Sequence, residues 1–280
     1  MYTVNRRTAI CMINHDSPLD FCLLIPCFNN TTGLVRSLQS VHYPRHKHLI
    51  VVVDDGSRAP VNENDIQAAV PDSLIHLIRL PQNSGITVAL NTGLKWIAAN
   101  LRVKYVARLD CDDICKPSRF EEQVRFLNAN PAIGLLGSWC HFRGSGSHAT
   151  YLFQAPFEDS NIRRAMHSHN VFIHPTVMFR IGLAEKAGFY PGLYPHAEDY
   201  AFFWTLLQLA KGAILPKSLV TCIVDPTGIS LHNRKTQLAS CRKIISAFGT
   251  QPCLQKWGMC KTWLRQLVPS RLIFWWKARK

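Results

Sequence analysis

Short apolar runs alternate with amphipathic helical segments along the first 115 residues of the chain. Four runs of strand length lie at 21–25, 49–53, 74–80 and 105–109, and polar residues follow each of them. Apolar residues recur at helical spacing between the runs, most clearly over residues 86–98. Strands that alternate with helices build a mainly parallel sheet with helices on both faces. The pattern therefore predicts an α/β fold.

Polar side chains follow all four predicted strands. They are Asn29 after the first strand, Asp54 and Asp55 after the second, Asn83 after the third and an acidic cluster at 110–113 after the fourth. Ligands of such sheets bind beyond the carboxyl ends of the strands. We therefore expect these side chains to line one ligand crevice.

The acidic cluster reads Asp-Cys-Asp-Asp and concentrates three carboxylates at one strand end. Carboxylates are the hard oxygen ligands that Mg²⁺ and Mn²⁺ prefer, and without a cation they would repel one another. The same residues could instead lead into a helix that starts near Pro117, with Glu121 and Glu122 in its first turn. The motif by itself leaves both interpretations open.

The glycine-dependent nucleotide signatures are missing from the sequence. No G-x-G-x-x-G follows the first strand, and no G-x-x-x-x-G-K-[ST] occurs anywhere. A nucleotide held without a glycine loop still fits the pattern, because Asp54 and Asp55 suit hydrogen bonding to a base or ribose and Phe28 could stack on a base. Residues 54–57 also suit a simple turn.

The net charge of +14 is concentrated near the carboxyl terminus. Residues 1–225 hold 21 Lys and Arg against 18 Asp and Glu, whereas residues 226–280 hold 11 Lys and Arg and no acid. The body of the chain is therefore close to neutral, and no nucleic-acid partner is expected for it.

A basic, aromatic tail is predicted for residues 232–280, with one helix at 236–248 and a second segment at 254–280. The second segment interleaves four Trp with seven Lys and Arg. This composition suits a helix that lies in a membrane interface, and equally a helix packed on the rest of the protein with its basic face in water. Peripheral contact with a membrane through 254–280 therefore stays open as one of two alternatives.

The ten cysteines form neither a C-x-x-C pair nor the spacing of a disulfide framework, which favours a reducing compartment. The sequence shows no signal-peptide pattern and no run near the ~18 apolar residues of a membrane span. We predict a cytoplasmic protein, on the inner face of the cytoplasmic membrane if the tail binds lipid.

Four motifs occur in the order and spacing found in family 2 glycosyltransferases of the GT-A fold. They are Pro-Cys-Phe-Asn at 26–29, Val-Asp-Asp-Gly-Ser at 53–57, Asn-x-Gly…Ala-x-Asn-x-Gly at 83–93 and Asp-x-Asp-Asp at 110–113. The chain resembles that family strongly over its first 115 residues and more weakly to about residue 231. The resemblance implies a Rossmann-like GT-A fold that the basic helical tail extends.

The resemblance also divides the chain into functional parts. It implies a leader at 1–20, a nucleotide-sugar-binding half at 21–115, an acceptor and catalytic half at 116–231, and the tail at 232–280. The implied reaction moves one sugar, with inversion, from a nucleotide-sugar donor, expected to be UDP-linked, to an acceptor hydroxyl. The implied acceptor is a surface glycan or a lipid-linked glycan.

Site residues follow from the same resemblance. Asp110 and Asp112 would hold Mn²⁺ or Mg²⁺ on the donor diphosphate, and Asp199 would act as the general base toward the acceptor hydroxyl. Without the resemblance, Glu198 and Asp199 read as acids favoured at a helix N-terminus. The donor contacts implied are Pro26, Phe28, Asn29, Asp54, Asp55, Asn83, Gly85, Asn91 and Asp110.

One element departs from the family pattern. Relatives often read Tyr-Arg-x-His before an Ile-Ser pair, whereas this chain has Cys222-Ile223 and Asp225, so phosphate contacts from this loop are in doubt. Two rival functions stay open. A sugar nucleotidylyltransferase shares the nucleotide-binding architecture but needs a Gly-rich basic loop after strand one, and a non-catalytic membrane- or nucleic-acid-binding protein would act through the tail.

Overall fold

The computed structural model describes residues 19–145, 150–224 and 233–267. Most of the predicted leader, Asp225 and residues 268–280 of the predicted tail lie outside these ranges. The first strand begins at Leu19, two residues before the predicted run, so the last two residues assigned to the leader belong to the sheet.

The first half alternates strands and helices as predicted. Its elements are β1 (Leu19–Cys27), α1 (Thr31–Gln39), β2 (His48–Asp54), α2 (Glu63–Ala69), β3 (Ile75–Arg79), α3 (Ile86–Asn100) and β4 (Val103–Arg108). A short 3₁₀ turn, Arg45–Lys47, precedes β2.

The second half is more irregular. Its elements are β5 (Ile114–Cys115), α4 (Arg119–Ala129), β6 (Ile133–Gly144), β7 (Thr150–Phe153), α5 (Asp159–Met166), β8 (Met178–Arg180), α6 (Ile181–Lys186), α7 (Glu198–Leu209), β9 (Lys211–Val224), α8 (Arg234–Phe248) and α9 (Pro252–Leu267). A 3₁₀ turn, His174–Thr176, precedes β8.

The strands form one nine-stranded sheet in the order β3-β2-β1-β4-β8-β6-β9-β5, with β7 paired to β6. The four strands of the first half run parallel to their neighbours, and β6 runs parallel to β9. Strand β8 is antiparallel to both β4 and β6, and so joins the two halves into one sheet. The predicted α/β fold is confirmed, and its parallel part coincides with the predicted strands.

Both faces of the sheet are buried, which explains why the strands read as continuous apolar runs. In β1, Phe21, Leu23 and Ile25 contribute to the core under α1, α2 and α4, whereas the alternate residues Cys22 and Leu24 contribute to the core under α3 and α7. Alternation of side chains along a strand sends them to opposite faces, so one strand supports both layers.

The carboxy-terminal helices α8 and α9 pack on this domain. Ile244 and Ile245 of α8 are fully buried in the core that α7 also lines. Gly258 of α9 lies so close to the His167 carbonyl that an added Cβ would sit 1.8 Å from its oxygen. The predicted helix at 236–248 is confirmed with an earlier start at Arg234, and the helix inside 254–280 runs to Leu267. None of the helices in the described ranges is long and apolar enough to cross a membrane.

Candidate active site

The loops that follow β1 and β2 are braced against each other at one edge of the sheet. The backbone N–H of Asn29 donates to Ser57 Oγ at 2.8 Å, and Asn29 Oδ1 accepts from the Arg58 N–H at 2.8 Å. Asn29 takes a left-handed backbone with φ 52°, which asparagine tolerates better than most residues. Phe28 beside it is 44% exposed, so its ring is available for stacking.

Asp54 holds its own loop. Its carboxylate is fully buried and accepts backbone N–H bonds from Ser57 at 2.9 Å and Val61 at 3.1 Å. Gly56 in the same turn has φ 69°, and an added Cβ would lie 2.3 Å from the Gln82 carbonyl carbon. The observed contacts of Asp54 brace its own loop, and the donor contact expected of it stays a prediction.

Asp55 joins the second strand end to the third. Its two oxygens accept the N–H groups of Ser84 at 2.8 Å and Gly85 at 2.9 Å. Gly85 is the N-cap residue of α3 and has φ 88°. The space where its Cβ would be is open. Asn83 is exposed at the same edge, whereas Asp55 keeps 4% of its surface. Because a carboxylate can accept about four hydrogen bonds, Asp55 retains capacity for a ligand donor.

Asn91 ties the first half of the chain to the second. Its Nδ2 donates to the Tyr190 carbonyl at 2.9 Å, and its Oδ1 accepts from the Tyr190 N–H at 2.9 Å. We expected Asn91 to contact the donor. In the structure both polar ends of its side chain hold a loop 99 residues away, which is a positioning contact, and the expected donor contact stays a prediction.

A buried polar chain links the acidic cluster to the second half. Arg108, with no exposed surface, donates to Asp110 Oδ1 at 2.5 Å and to His174 Nε2 at 3.2 Å. It also donates to the Leu24 carbonyl of β1. The Tyr190 hydroxyl lies 2.8 Å from the same His174 nitrogen. Burial and the nearby Arg108 charge lower the pKa of His174 to about 3, which favours a neutral imidazole whose Nε2 accepts the hydrogen bond from Arg108.

Asp112 faces the start of α1. Its Oδ2 accepts from Asn30 Nδ2 at 2.6 Å, and its Oδ1 pairs with Arg36 Nη1 at 2.6 Å. Asp112 has φ 75°, and its N–H donates to the Gly33 carbonyl at 3.1 Å. An added Cβ on Gly33 would lie 2.6 Å from Asp112 Oδ2, so this approach depends on glycine.

Two of the three clustered carboxylates are open to the crevice. The side chains of Asp110 and Asp112 are 34% and 30% exposed. Asp113 is 5% exposed and accepts the Ile223 N–H of β9 at 2.8 Å, so it braces the end of that strand. Burial and then the Asp110 charge raise the pKa of Asp113 well above its ordinary value.

A divalent cation fits this pair of carboxylates only with help from a ligand. No group of three or more His, Cys, Asp or Glu in the described ranges could hold a metal alone. Mg²⁺ and Mn²⁺ are often held by one or two carboxylates together with substrate phosphates. Asp110 has one oxygen outside its contact with Arg108, and Asp112 could join it if the exposed Arg36 moves aside. The residues present therefore fit a metal that arrives with a diphosphate.

Asp199 lies in the first turn of α7. Its Oδ1 accepts from the Tyr200 N–H at 2.7 Å and its Oδ2 accepts from Asn170 Nδ2 at 2.9 Å. Burial, followed by the neighbouring Glu198 charge, raises the pKa of Asp199 from 3.8 to about 7. Burial raises the pKa of Glu198 as well. A carboxylate with a pKa near 7 is suited to accept a proton at neutral pH.

Sequence reasoning missed the residues that connect these parts. Arg108 gave a signal, because a charged side chain inside an otherwise apolar strand run needs buried partners. Arg36, Asn170 and Tyr190 gave none, since their partners lie far away in the sequence and only the fold brings them together.

Known glycosyltransferases are similar to this chain in sequence. The family described as Glycosyl transferase family 2 matches residues 22–188, which is more than half of the chain. An amylovoran biosynthesis glycosyltransferase, AmsE, from Erwinia amylovora is 32% identical over 68% of this chain and 70% of its own length. An uncharacterized glycosyltransferase of Haemophilus influenzae is 28% identical over 71% of this chain, which spans less than two thirds, 63%, of that relative.

Solved structures share the fold at low sequence identity. S. aureus TarS 1–349 in complex with UDP superposes with a TM-score of 0.64 at 19% identity, covering 91% of this chain and 73% of that one. The mannosyltransferase PcManGT from Pyrobaculum calidifontis, in complex with GDP-Man and Mn²⁺, gives 0.62 at 17% identity, covering 88% and 69%. The expected GT-A fold is confirmed. The chain belongs to glycosyltransferase family 2.

Proposed function

We propose that the protein transfers one sugar, with inversion, from a nucleotide-sugar to an acceptor hydroxyl. The observation that supports the proposal is that four neighbouring parallel strands end at one edge of the sheet, where Asp110 and Asp112 are partly exposed. TarS is found with UDP and PcManGT with GDP-Man, so a nucleoside diphosphate donor is in keeping with both neighbours. We expect the donor to be UDP-linked.

On the donor side, Phe28 supplies an exposed ring for the base, and Asp55 with Asn83 supplies polar groups for the nucleoside. Pro26, Asn29 and Gly85 shape the same edge through their backbone conformations. Asp110 contacts the ribose or the diphosphate, and Asp110 with Asp112 would hold Mn²⁺ or Mg²⁺. When bound, such a cation stabilises negative charge that develops on the leaving diphosphate.

On the acceptor side, Asp199 takes the proton of the attacking hydroxyl. Asn170 and the Tyr200 N–H fix its carboxylate by one bond to each oxygen, which leaves further lone pairs to accept the proton of the hydroxyl. A single general base without a second carboxylate acting as nucleophile corresponds to one displacement at the anomeric carbon, which inverts its configuration. In this proposal the first half of the chain binds the donor and the second half binds the acceptor. Asn91 and Arg108 connect the two halves through their bonds to Tyr190 and His174.

The acceptor is proposed to be a glycan of surface polysaccharide synthesis, free or lipid-linked. The relative that supports this is AmsE, whose name assigns it to amylovoran biosynthesis. The body of the chain is close to neutral, so we expect no nucleic-acid partner for it.

A membrane surface is the partner we propose for helix α9. Four of its five exposed large apolar side chains fall on one side of the helix and form a stripe: Trp257 60%, Trp263 55%, Leu264 50% and Leu267 66%. The opposite side carries Gly258 and Thr262, which are buried against the domain. Seven Lys and Arg and no acid lie between residues 233 and 267. Trp and Leu beside basic residues suit an anionic lipid interface.

The enzymatic proposal is tested by incubating the protein with a panel of UDP-, GDP- and dTDP-sugars and Mn²⁺. Release of one free nucleoside diphosphate is the expected result. Formation of pyrophosphate-dependent products would instead support a sugar nucleotidylyltransferase, and no turnover or nucleotide binding with any donor would contradict both enzyme assignments.

The membrane proposal is tested by sedimentation with vesicles that contain anionic lipid. Trp257→Ser with Trp263→Ser should lose most binding and keep nucleotide release, whereas the control Trp96→Phe, which alters a half-buried ring of α3 stacked on His76, should bind like the parent. If the double Trp→Ser variant and the parent bind vesicles equally well, the apolar stripe of α9 does not contact the membrane.

A further inference from the structure

Each of the two partly exposed carboxylates in the acidic cluster is paired with an arginine, and the two arginines differ in their freedom to move. Arg108 pairs with Asp110, has no exposed surface and also donates to the Leu24 carbonyl, so it is fixed in place. Arg36 of α1 pairs with Asp112, and its side chain is 51% exposed. Asp112 is the one partner that the described part of the chain records for the Arg36 guanidinium. Arg36 is therefore the arginine that can leave its carboxylate.

The two oxygens of Asp112 are held in different ways. Asn30 accepts the Gly33 N–H at 2.9 Å with its Oδ1, so its amide nitrogen faces Asp112 Oδ2 and donates to it at 2.6 Å. Oδ2 is thus tied to the cap of α1. Oδ1 pairs with Arg36 Nη1 at 2.6 Å. Because a guanidinium and a divalent cation repel each other at one oxygen, Asp112 binds a metal through Oδ1 far better after Arg36 has moved.

The exchange of partners by Arg36 is energetically easy. Both members of its ion pair are partly exposed, and such a pair contributes at most about fivefold to an equilibrium constant. A diphosphate is a stronger partner, because phosphate oxygens accept two parallel charge-assisted hydrogen bonds from one arginine. The movement is also short, since a donor diphosphate held through a metal at Asp110 and Asp112 would lie beside Arg36.

We propose that Arg36 is a donor-binding residue that exchanges Asp112 for the diphosphate of the nucleotide-sugar. Before the donor binds, Arg36 neutralises Asp112 and weakens its hold on a free cation. When the donor binds, Arg36 turns to the diphosphate and releases Asp112 Oδ1 as a metal ligand. Metal and nucleotide each raise the affinity of the protein for the other, by the same factor. The proposal rests on the function proposed above, and it adds the residue that couples the two ligands.

The test measures Mn²⁺ binding by electron paramagnetic resonance and nucleotide binding by titration calorimetry, in the parent and in Arg36→Gln. UDP, GDP and dTDP are titrated in turn, and the one that the parent binds with Mn²⁺ is used. Without nucleotide, Arg36→Gln should bind Mn²⁺ about two- to fivefold more tightly, because the competing charge is gone. With saturating Mn²⁺, it should bind the nucleotide about tenfold or more weakly, because a charge-assisted contact is lost.

Arg45→Gln is the matched control. Arg45 is an exposed arginine in the 3₁₀ turn before β2, at the edge of the sheet opposite the strand ends that form the crevice. Its variant loses the same charge and should bind both ligands within about twofold of the parent, because salt screens distant exposed charges. Arg36→Lys keeps a positive charge and should lie between the parent and Arg36→Gln for both ligands. If circular dichroism shows that Arg36→Gln does not fold, Arg36→Met provides the same comparison.

Opposite changes in the two affinities identify the exchange, because a general loss of structure would weaken both. Mn²⁺ affinity that is unchanged or lower in Arg36→Gln, or nucleotide affinity that is unchanged or higher, would overturn the proposal. Affinities of Arg36→Lys equal to those of Arg36→Gln would also overturn it, since the charge would then play no part. In a protein that binds nucleotide, these results contradict only the role of Arg36. A parent that binds none of the three nucleotides contradicts the proposed function.

Discussion

Replacing Glu198 with glutamine is expected to move the acidic limb of the pH–rate profile to lower pH. As the proposed general base, Asp199 would have to be ionised for transfer, so the rate should rise with pH through the pKa of that group. Burial raises this pKa first and the Glu198 charge second, giving about 7 in the native protein. Glu198→Gln removes the second cause, leaves the first, and preserves the shape of the side chain.

The expected size of the shift follows from Coulomb's law. Carboxyl groups on adjacent residues of a helix lie roughly 8 Å apart, and at an effective dielectric constant of about 20 one charge contributes about 2 kcal/mol at that distance. This is about 1.5 pH units. The figure is an upper limit, because burial also raises the pKa of Glu198 and so disfavours its charged form. A downward shift of about 0.5 to 1.5 pH units is predicted.

The assay is kcat/KM for nucleotide release in the presence of acceptor, measured from pH 5 to 9. The parent should show an inflection near pH 7, and Glu198→Gln should show it lower while the plateau at high pH changes little. Glu185→Gln, on the neighbouring helix α6, serves as a control for the loss of one negative charge. An unchanged inflection in Glu198→Gln, or the same shift in both variants, would refute the electrostatic reasoning.

Three further predictions concern substitutions of Asn91, Asp199 and Asp112. Asn91→Ala removes two 2.9 Å bonds to Tyr190 and should lower the free energy of unfolding by about 1–3 kcal/mol in urea titrations, whereas Asn100→Ala on the same helix should change it by less than about 1 kcal/mol. Because its pKa is raised from 3.8 to about 7, Asp199 stabilises the fold below pH ~4 and loses that contribution as the pH rises through 7. Asp199→Asn should therefore gain up to about 4 kcal/mol over the parent between pH 4 and 8 in the same titrations, and a pH-independent difference would disprove this. Asp112→Ala should weaken Mn²⁺-dependent UDP binding, and unchanged Mn²⁺ affinity by electron paramagnetic resonance would exclude Asp112 as a ligand.

The first half of the fold could be predicted because its information is local. Each strand of the β3-β2-β1-β4 group is a continuous apolar run, and Phe21 and Cys22 show why, since adjacent residues of β1 are buried on opposite faces. The second half resisted prediction because its strands are short or bent. Strand β8 has three residues and is defined by its antiparallel partners, which no local pattern specifies.

The site divides in a similar way. Residue types at the strand ends predicted where polar groups gather, and Asp110 and Asp112 are exposed there as expected. What could not be predicted is how those groups are satisfied. Asp54 accepts hydrogen bonds from the backbone of its own loop, and Asn91 bonds to the backbone of Tyr190. Buried polar atoms need such partners, and the fold determines which backbone groups are near enough. The sequence shows which polar side chains lie at the strand ends. Their hydrogen-bond partners come from distant parts of the chain and are known only from the fold.

The most direct test of the account compares donor binding and sugar transfer in the parent and in Asp199→Asn. Asparagine keeps the size of the side chain and an acceptor for the Tyr200 N–H, but it cannot take a proton. Asp199→Asn should bind the nucleoside diphosphate and Mn²⁺ within about threefold of the parent and lose transfer by about 100-fold or more. Transfer near the parental rate would contradict the assignment of Asp199 as the general base.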